Sequence, residues 1–146
     1  MILGSKARYA VMAMVDLAKN DSDKPMTLAD ISSRQEISLA YLEQIFPKLK
    51  KAELVFSIRG PGGGYMLSRA PADINVLSII HAVDESLQMT RCEKEHSGGC
   101  MSTKAQCVTH SLWAGLGNHI ENYLEAISLS DICDRKMPKM IDLLAA

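Results

Sequence analysis

No run of apolar residues in this sequence approaches the roughly 18 that a membrane-spanning helix requires, which excludes a bilayer-crossing helix. The apolar stretch and small-residue cleavage site of a secretory leader are missing from residues 1–10. An unprocessed cytoplasmic chain is therefore expected, with no membrane partner and with its four cysteines starting out reduced. Also missing is the excess of positive charge common in nucleic-acid binders, since the formal net charge is −1. There are no internal repeats or low-complexity tracts. No nucleophile and base stand at readable spacing, and 146 residues leave no room for a separate substrate domain, so no enzyme is expected. What remains is a chain of ordinary composition, 47% hydrophobic and 23% charged, long enough to bury one working core.

The near-zero charge hides an asymmetry. Residues 1–70 carry ten Lys or Arg against seven Asp or Glu, whereas residues 71–146 carry six against ten. A basic front half precedes an acidic back half, a field so modest that DNA binding must rely on local placement of a few cations.

Apolar spacing predicts an amphipathic helix over 5–19 through Ala7, Ala10, Val11, Met14, Leu17 and Ala18. Thr27 and Asp30 resemble a capping box that opens a short helix ending near Arg34. Ser38 is a second N-cap, followed by Leu39, Leu42, Ile45, Phe46 and Leu49 on one helical face. Pro47 inside that run predicts a kink or an early end. The β-prone runs 55–59 and 65–67 flank a glycine-rich tip and read as a hairpin. Asn75 caps a buried helix ending near Glu85; residues 88–109 have no periodicity; Leu112, Leu116, Ile120, Tyr123, Leu124 and Ile127 then form a long stripe.

This order of elements is that of a winged helix-turn-helix, in which the second short helix enters the major groove. The fold class expected is therefore mostly α with a small β-hairpin wing, joined to a long dimerisation helix. Residues 1–70 would be the DNA-binding domain, 71–87 a connecting helix, 88–110 a cysteine loop, and 111–146 the dimerisation helix and tail. Candidate DNA-contacting residues are Ser38, Ala40, Tyr41, Glu43, Gln44, Lys48 and Lys51, with Arg59 and Gly60 at the hairpin shoulder. Gln44 suits adenine and Lys48 a phosphate, while Glu43 is either a cytosine reader or a solvated bystander. Spacing alone leaves an ordinary helical core with a flexible turn as the competing reading.

Cys92, Cys100 and Cys107 are separated by seven and six residues, and His110 follows the last. Thiolates suit zinc and iron–sulfur clusters alike, and the wide spacing fits a loop around a larger object better than a tight zinc turn. His96 is a competing ligand or a solvated loop histidine. Cys133 is read as a buried or incidental thiol, and His81 and His119 as structural.

Several runs carry a resemblance: Ser5 to Val11, Leu28 to Ser32, Ile37 to Gln44, Arg59 to Tyr65, Ala82 to Ser86 and Cys107 to Trp113. In this order they resemble the iron–sulfur cluster regulators of the IscR type over about the first 127 residues. The resemblance implies a homodimeric repressor or activator of iron–sulfur assembly genes, bound to double-stranded operator DNA. It further implies a 2Fe–2S cluster on Cys92, Cys100, Cys107 and His110, with cluster-donor proteins as further partners. Nitric-oxide-sensing relatives use a carboxylate near the N-terminus, where this chain has Arg8 and Tyr9. Ala40 stands where the family has a hydroxyl residue, and the cysteine spacings are longer than those of familiar members. The resemblance also implies that the cluster alters operator preference, and the carboxylate of Glu43 is where that preference would be felt.

Overall fold

A computed structural model of the chain describes residues 4–20, 23–88 and 99–139. Its central element is α1 (Ser5–Lys19), whose small residues Ala7, Ala10 and Ala13 let neighbouring elements approach closely, while Met14 and Leu17 fill the space beyond them. Residues α2 (Leu28–Gln35) and α3 (Leu39–Lys51) pack on it and on each other. The Thr27 hydroxyl accepts from the Asp30 amide at 3.1 Å and donates to the Asp30 carboxylate at 2.7 Å, so the acid meets the cap's hydroxyl rather than its backbone amide, as in a full capping box. A left-handed Glu36 ends α2, and the Ser38 side chain then caps α3 through the Tyr41 amide at 3.2 Å.

Of the kink or early end expected at Pro47, the early end does not occur: α3 runs through Pro47 to Lys51. Pro47 removes the amide that would donate to the Glu43 carbonyl, but both residues are on the exposed face, while buried Ile45, Phe46 and Leu49 hold the helix on the core.

Strands β1 (Val55–Ile58) and β2 (Gly64–Leu67) pair antiparallel from Val55 opposite Leu67 to Ile58 opposite Gly64. Met26 bridges to Tyr65 in both directions, at 2.9 and 2.8 Å, which fastens the hairpin to the segment entering α2. At Gly64, φ is 155° and a Cβ would strike the Met26 backbone, so the close approach demands glycine.

After a 3-10 turn at Pro71–Asp73, Asn75 caps α4 (Val76–Ala82) through the Ser78 amide at 2.8 Å. This helix stops three residues short of Glu85, because Asp84 takes a left-handed φ of 56°. Beyond the cysteine loop come α5 (His110–Glu125) and α6 (Leu129–Asp134), the latter closed by a full capping box between Ser128 and Asp131. Ile127, expected to extend the α5 stripe, lies past the helix end and is buried with Ala7, Val76, Ile80 and Leu87. Its carbonyl accepts from the Val76 amide and the Ile74 carbonyl from the Leu129 amide, each at 2.9 Å, tying the start of α4 to the start of α6. The main core gathers α1, α2, α3, Leu54, Val55, α4 and Leu129. Among the described residues no helix is long and apolar enough to cross a membrane.

Candidate functional site

One face of α3 is the first feature. Leu42, Ile45, Phe46 and Leu49 are buried, which at helical spacing turns Ala40, Glu43, Gln44 and Lys51 outward, and all four are exposed, as is the cap Ser38. Tyr41 is half-buried, its ring edge-on to Tyr9 at 5.5 Å. Burial, then the negative charge of Glu85, pushes the Tyr41 phenol up, so it stays a hydroxyl donor at neutral pH. Lys48 is half-buried and its Nζ lies 2.8 Å from the Asp84 carboxylate. Lys50 donates to the Ser57 hydroxyl at 2.6 Å and links the end of α3 to the wing. Arg59 and Gly60 are exposed at the hairpin tip, where Gly60 has a φ of 102°.

The second feature lies in the cysteine loop. Gly99 to Ala105 form a compact turn with a left-handed Lys104, the Gly99 amide donating to the Lys104 carbonyl at 2.9 Å. This turn brings Cys100 and Cys107 together: the Cys107 amide donates to Cys100 Sγ at 3.1 Å. Hydrogen bonding to the Thr109 hydroxyl, and then to the Cys100 sulfur, holds the Cys107 thiol below its ordinary value and favours the thiolate. His110 opens α5 with its amide on the Cys107 carbonyl at 3.0 Å. Its Nδ1 is buried and has no hydrogen-bond partner among the described residues. A buried ring nitrogen without a partner is costly, and thiol and imidazole groups are the donor types that suit a soft metal or cluster. Cys92 and His96 lie outside the described residues, and among those described no three His, Cys, Asp or Glu side chains converge.

Other titratable residues fall elsewhere. Cys133 is half-buried in α6, and burial pushes its thiol up. His81 and His119, read as structural, are exposed on α4 and α5. Sequence reasoning missed Asp16, which is only 3% exposed and accepts a two-pronged bond from Arg34 at 2.8 to 3.2 Å and one from Gln35 at 2.9 Å. The available signal was a carboxylate between Met14 and Leu17 on the apolar face of α1. Glu85 was missed too; it accepts from the Ala7 amide at 3.0 Å and supplies the cap that Gly4 does not give α1.

The sequence pattern of the Rrf2 family, an iron-dependent transcriptional regulator, matches residues 3–135. The chain belongs to the Rrf2 family. A putative HTH-type transcriptional regulator ORF2 of Azotobacter vinelandii is 52% identical over 135 residues, covering 92% of this chain and 80% of that one. The HTH-type transcriptional regulator IscR of Aliivibrio salmonicida is 51% identical over 132 residues, covering 90% of this chain and 77% of its own. Among solved structures, T. potens IscR superposes with a TM-score of 0.74 at 34% identity, over 97% of this chain and 95% of that one. The likeness runs past residue 127, where the motifs read from sequence stop. This Rrf2 chain is a winged-helix transcription regulator.

Proposed function

We propose that this Rrf2 regulator binds operator DNA as a homodimer and senses iron–sulfur status through a 2Fe–2S cluster held by Cys92, Cys100, Cys107 and His110. Control of iron–sulfur assembly genes in the cytoplasm belongs to the same reading. The observation that carries it is the turn that sets the Cys107 amide on Cys100 Sγ, with His110, whose own amide bonds to the Cys107 carbonyl, keeping a buried and unpartnered Nδ1. Relatives named IscR support the assignment. When bound, such a cluster supplies a redox-responsive, labile centre, because a histidine in place of a fourth thiolate lowers the ligand charge and can be protonated.

The chain's own residues supply the rest. Residues 1–70 present the DNA surface: Ser38, Ala40, Tyr41, Glu43, Gln44, Lys48 and Lys51 from α3 and its cap, Arg59 and Gly60 from the wing. Gln44 offers a bidentate amide to adenine, Glu43 an acceptor to cytosine, and the lysines reach phosphates. Residues 71–87 connect this surface to the cysteine loop at 88–110, and 111–146 supply the partner-binding helix. Not one residue of α5 is buried within its own chain, and Leu112, Trp113, Leu116 and Tyr123 are exposed along it. An apolar stripe of that length is covered by the same helix of a second copy, which sets two α3 helices for a palindromic operator.

Visible absorption of anaerobically purified protein tests the cofactor: a 2Fe–2S cluster is coloured, whereas a colourless protein with bound zinc would overturn it. Binding to a panel of operators is then compared with that of the Cys92→Ala, Cys100→Ala, Cys107→Ala triple variant. A changed ranking is expected; identical ranking would reduce the cluster to a structural staple.

A further inference from the structure

We propose that Asp84 is a built-in competitor for the DNA phosphate that Lys48 reaches, and so sets how tightly the reading helix grips DNA of any sequence. The proposal rests on the reading of α3 as the DNA-facing helix.

Lys48 Nζ sits 2.8 Å from Asp84 Oδ2 across 36 residues of sequence, joining α3 to the point where the chain leaves α4 for the cysteine loop. The two side chains are 39% and 75% exposed, so water and a DNA phosphate both have access to the pair. An ion pair this wet contributes little, and an incoming phosphate can take the ammonium from the carboxylate at small cost. Asp84 also lies in the field of Lys51 and Lys6, and the bond from Lys48 keeps its carboxyl ionised well below the ordinary range. A negative charge among three lysines therefore lowers the pull of this surface on the phosphate backbone.

The backbone that carries the carboxylate is fixed. Asp84 holds a left-handed φ of 56°, with its amide on the His81 carbonyl at 3.1 Å. The next residue, Glu85, accepts from the Ala7 amide at the start of α1. Asp84 thus stays in place when the longer Lys48 side chain swings toward DNA. Asparagine tolerates the left-handed conformation as well as aspartate does, so Asp84→Asn removes the charge without disturbing the turn.

The test measures binding by fluorescence anisotropy over a range of salt, using a duplex selected from random sequence by the wild-type protein and a scrambled duplex of the same composition. Asp84→Asn is expected to tighten both duplexes about two- to five-fold, the value of releasing an exposed pair. Lys48→Gln is expected to weaken both and to lower the salt slope by about one. In the Lys48→Gln background, Asp84→Asn should then give a clearly smaller gain, the part that acts through Lys51 and Lys6 alone. Equal tightening in that background would show a general field effect and overturn the competition between the pair. Weakening by Lys48→Gln with no gain from Asp84→Asn would overturn this proposal while leaving the DNA-facing role of α3 intact. Wild-type binding by Lys48→Gln would overturn the phosphate role of Lys48 and the proposal together.

Discussion

At the scale of single residues, the face of α3 was readable from spacing, because buried Leu42, Ile45, Phe46 and Leu49 dictate which neighbours point outward. The same logic carries a prediction. Gln44→Ala should cost about 1 to 3 kcal/mol of operator affinity and relax preference at one base pair, since a bidentate amide is lost. Competition binding against single-base operator variants measures it; an equal loss on operator and scrambled DNA would remove the reading role. What spacing could not show was which side chains pair over long distances. Lys48 meets Asp84, and Asp16 meets Arg34 and Gln35, through folding alone. The turn that places the Cys107 amide on Cys100 depends on a left-handed Lys104 that no composition rule announces.

Among the elements, helix starts were legible where a Ser, Thr or Asn cap preceded a longer apolar pattern, as at Thr27, Ser38 and Asn75. Ends were less so, since Pro47 was overruled by core packing and α4 by the backbone of Asp84. The sixth helix escaped notice although Ser128 and Asp131 form its most complete cap, because only six residues follow and their apolar pattern is too short to read. Ser128→Ala should lower stability by about 1 kcal/mol at neutral pH. The effect depends on pH in a definite direction. Ser128's hydroxyl and amide hold the Asp131 carboxyl below its ordinary value, so the contribution is full above the ordinary carboxylate pKa near 4 and fades as pH falls through the lowered native value. Chemical denaturation of wild type and Ser128→Ala at pH 7 and pH 3 checks this: the gap between them should narrow in acid. A gap that is the same or wider at pH 3 would rule the capping acid out.

For the molecule as a whole, α5 makes the strongest demand, since Leu112 is 61% exposed and, among the described residues, Leu124 at the C-terminal end is the α5 residue packed against a core cluster. For the dimer proposed through α5, Leu116→Asp should leave a monomer at micromolar concentration in sedimentation equilibrium, where the wild type is expected to be dimeric. It should also lower operator affinity about a hundred-fold, as two linked reading heads become one. A Leu116→Asp protein that remains dimeric would mean that another surface joins the subunits. The bridges at residue 127 have a separate consequence. Val76 bonds to Ile127 and Leu129 to Ile74, so the chain that departs at α4 comes back to the point it left. Everything between is a closed detour, pinned at its two ends to the frame that carries the DNA surface. Closing a longer detour costs only about 0.6 kcal/mol per doubling of length. Residues added between Cys92 and Cys107 therefore lengthen the road into His110 while the last turn of α5 stays docked. Wide cysteine spacings of seven and six can in this way be accommodated without re-aiming the reading helix.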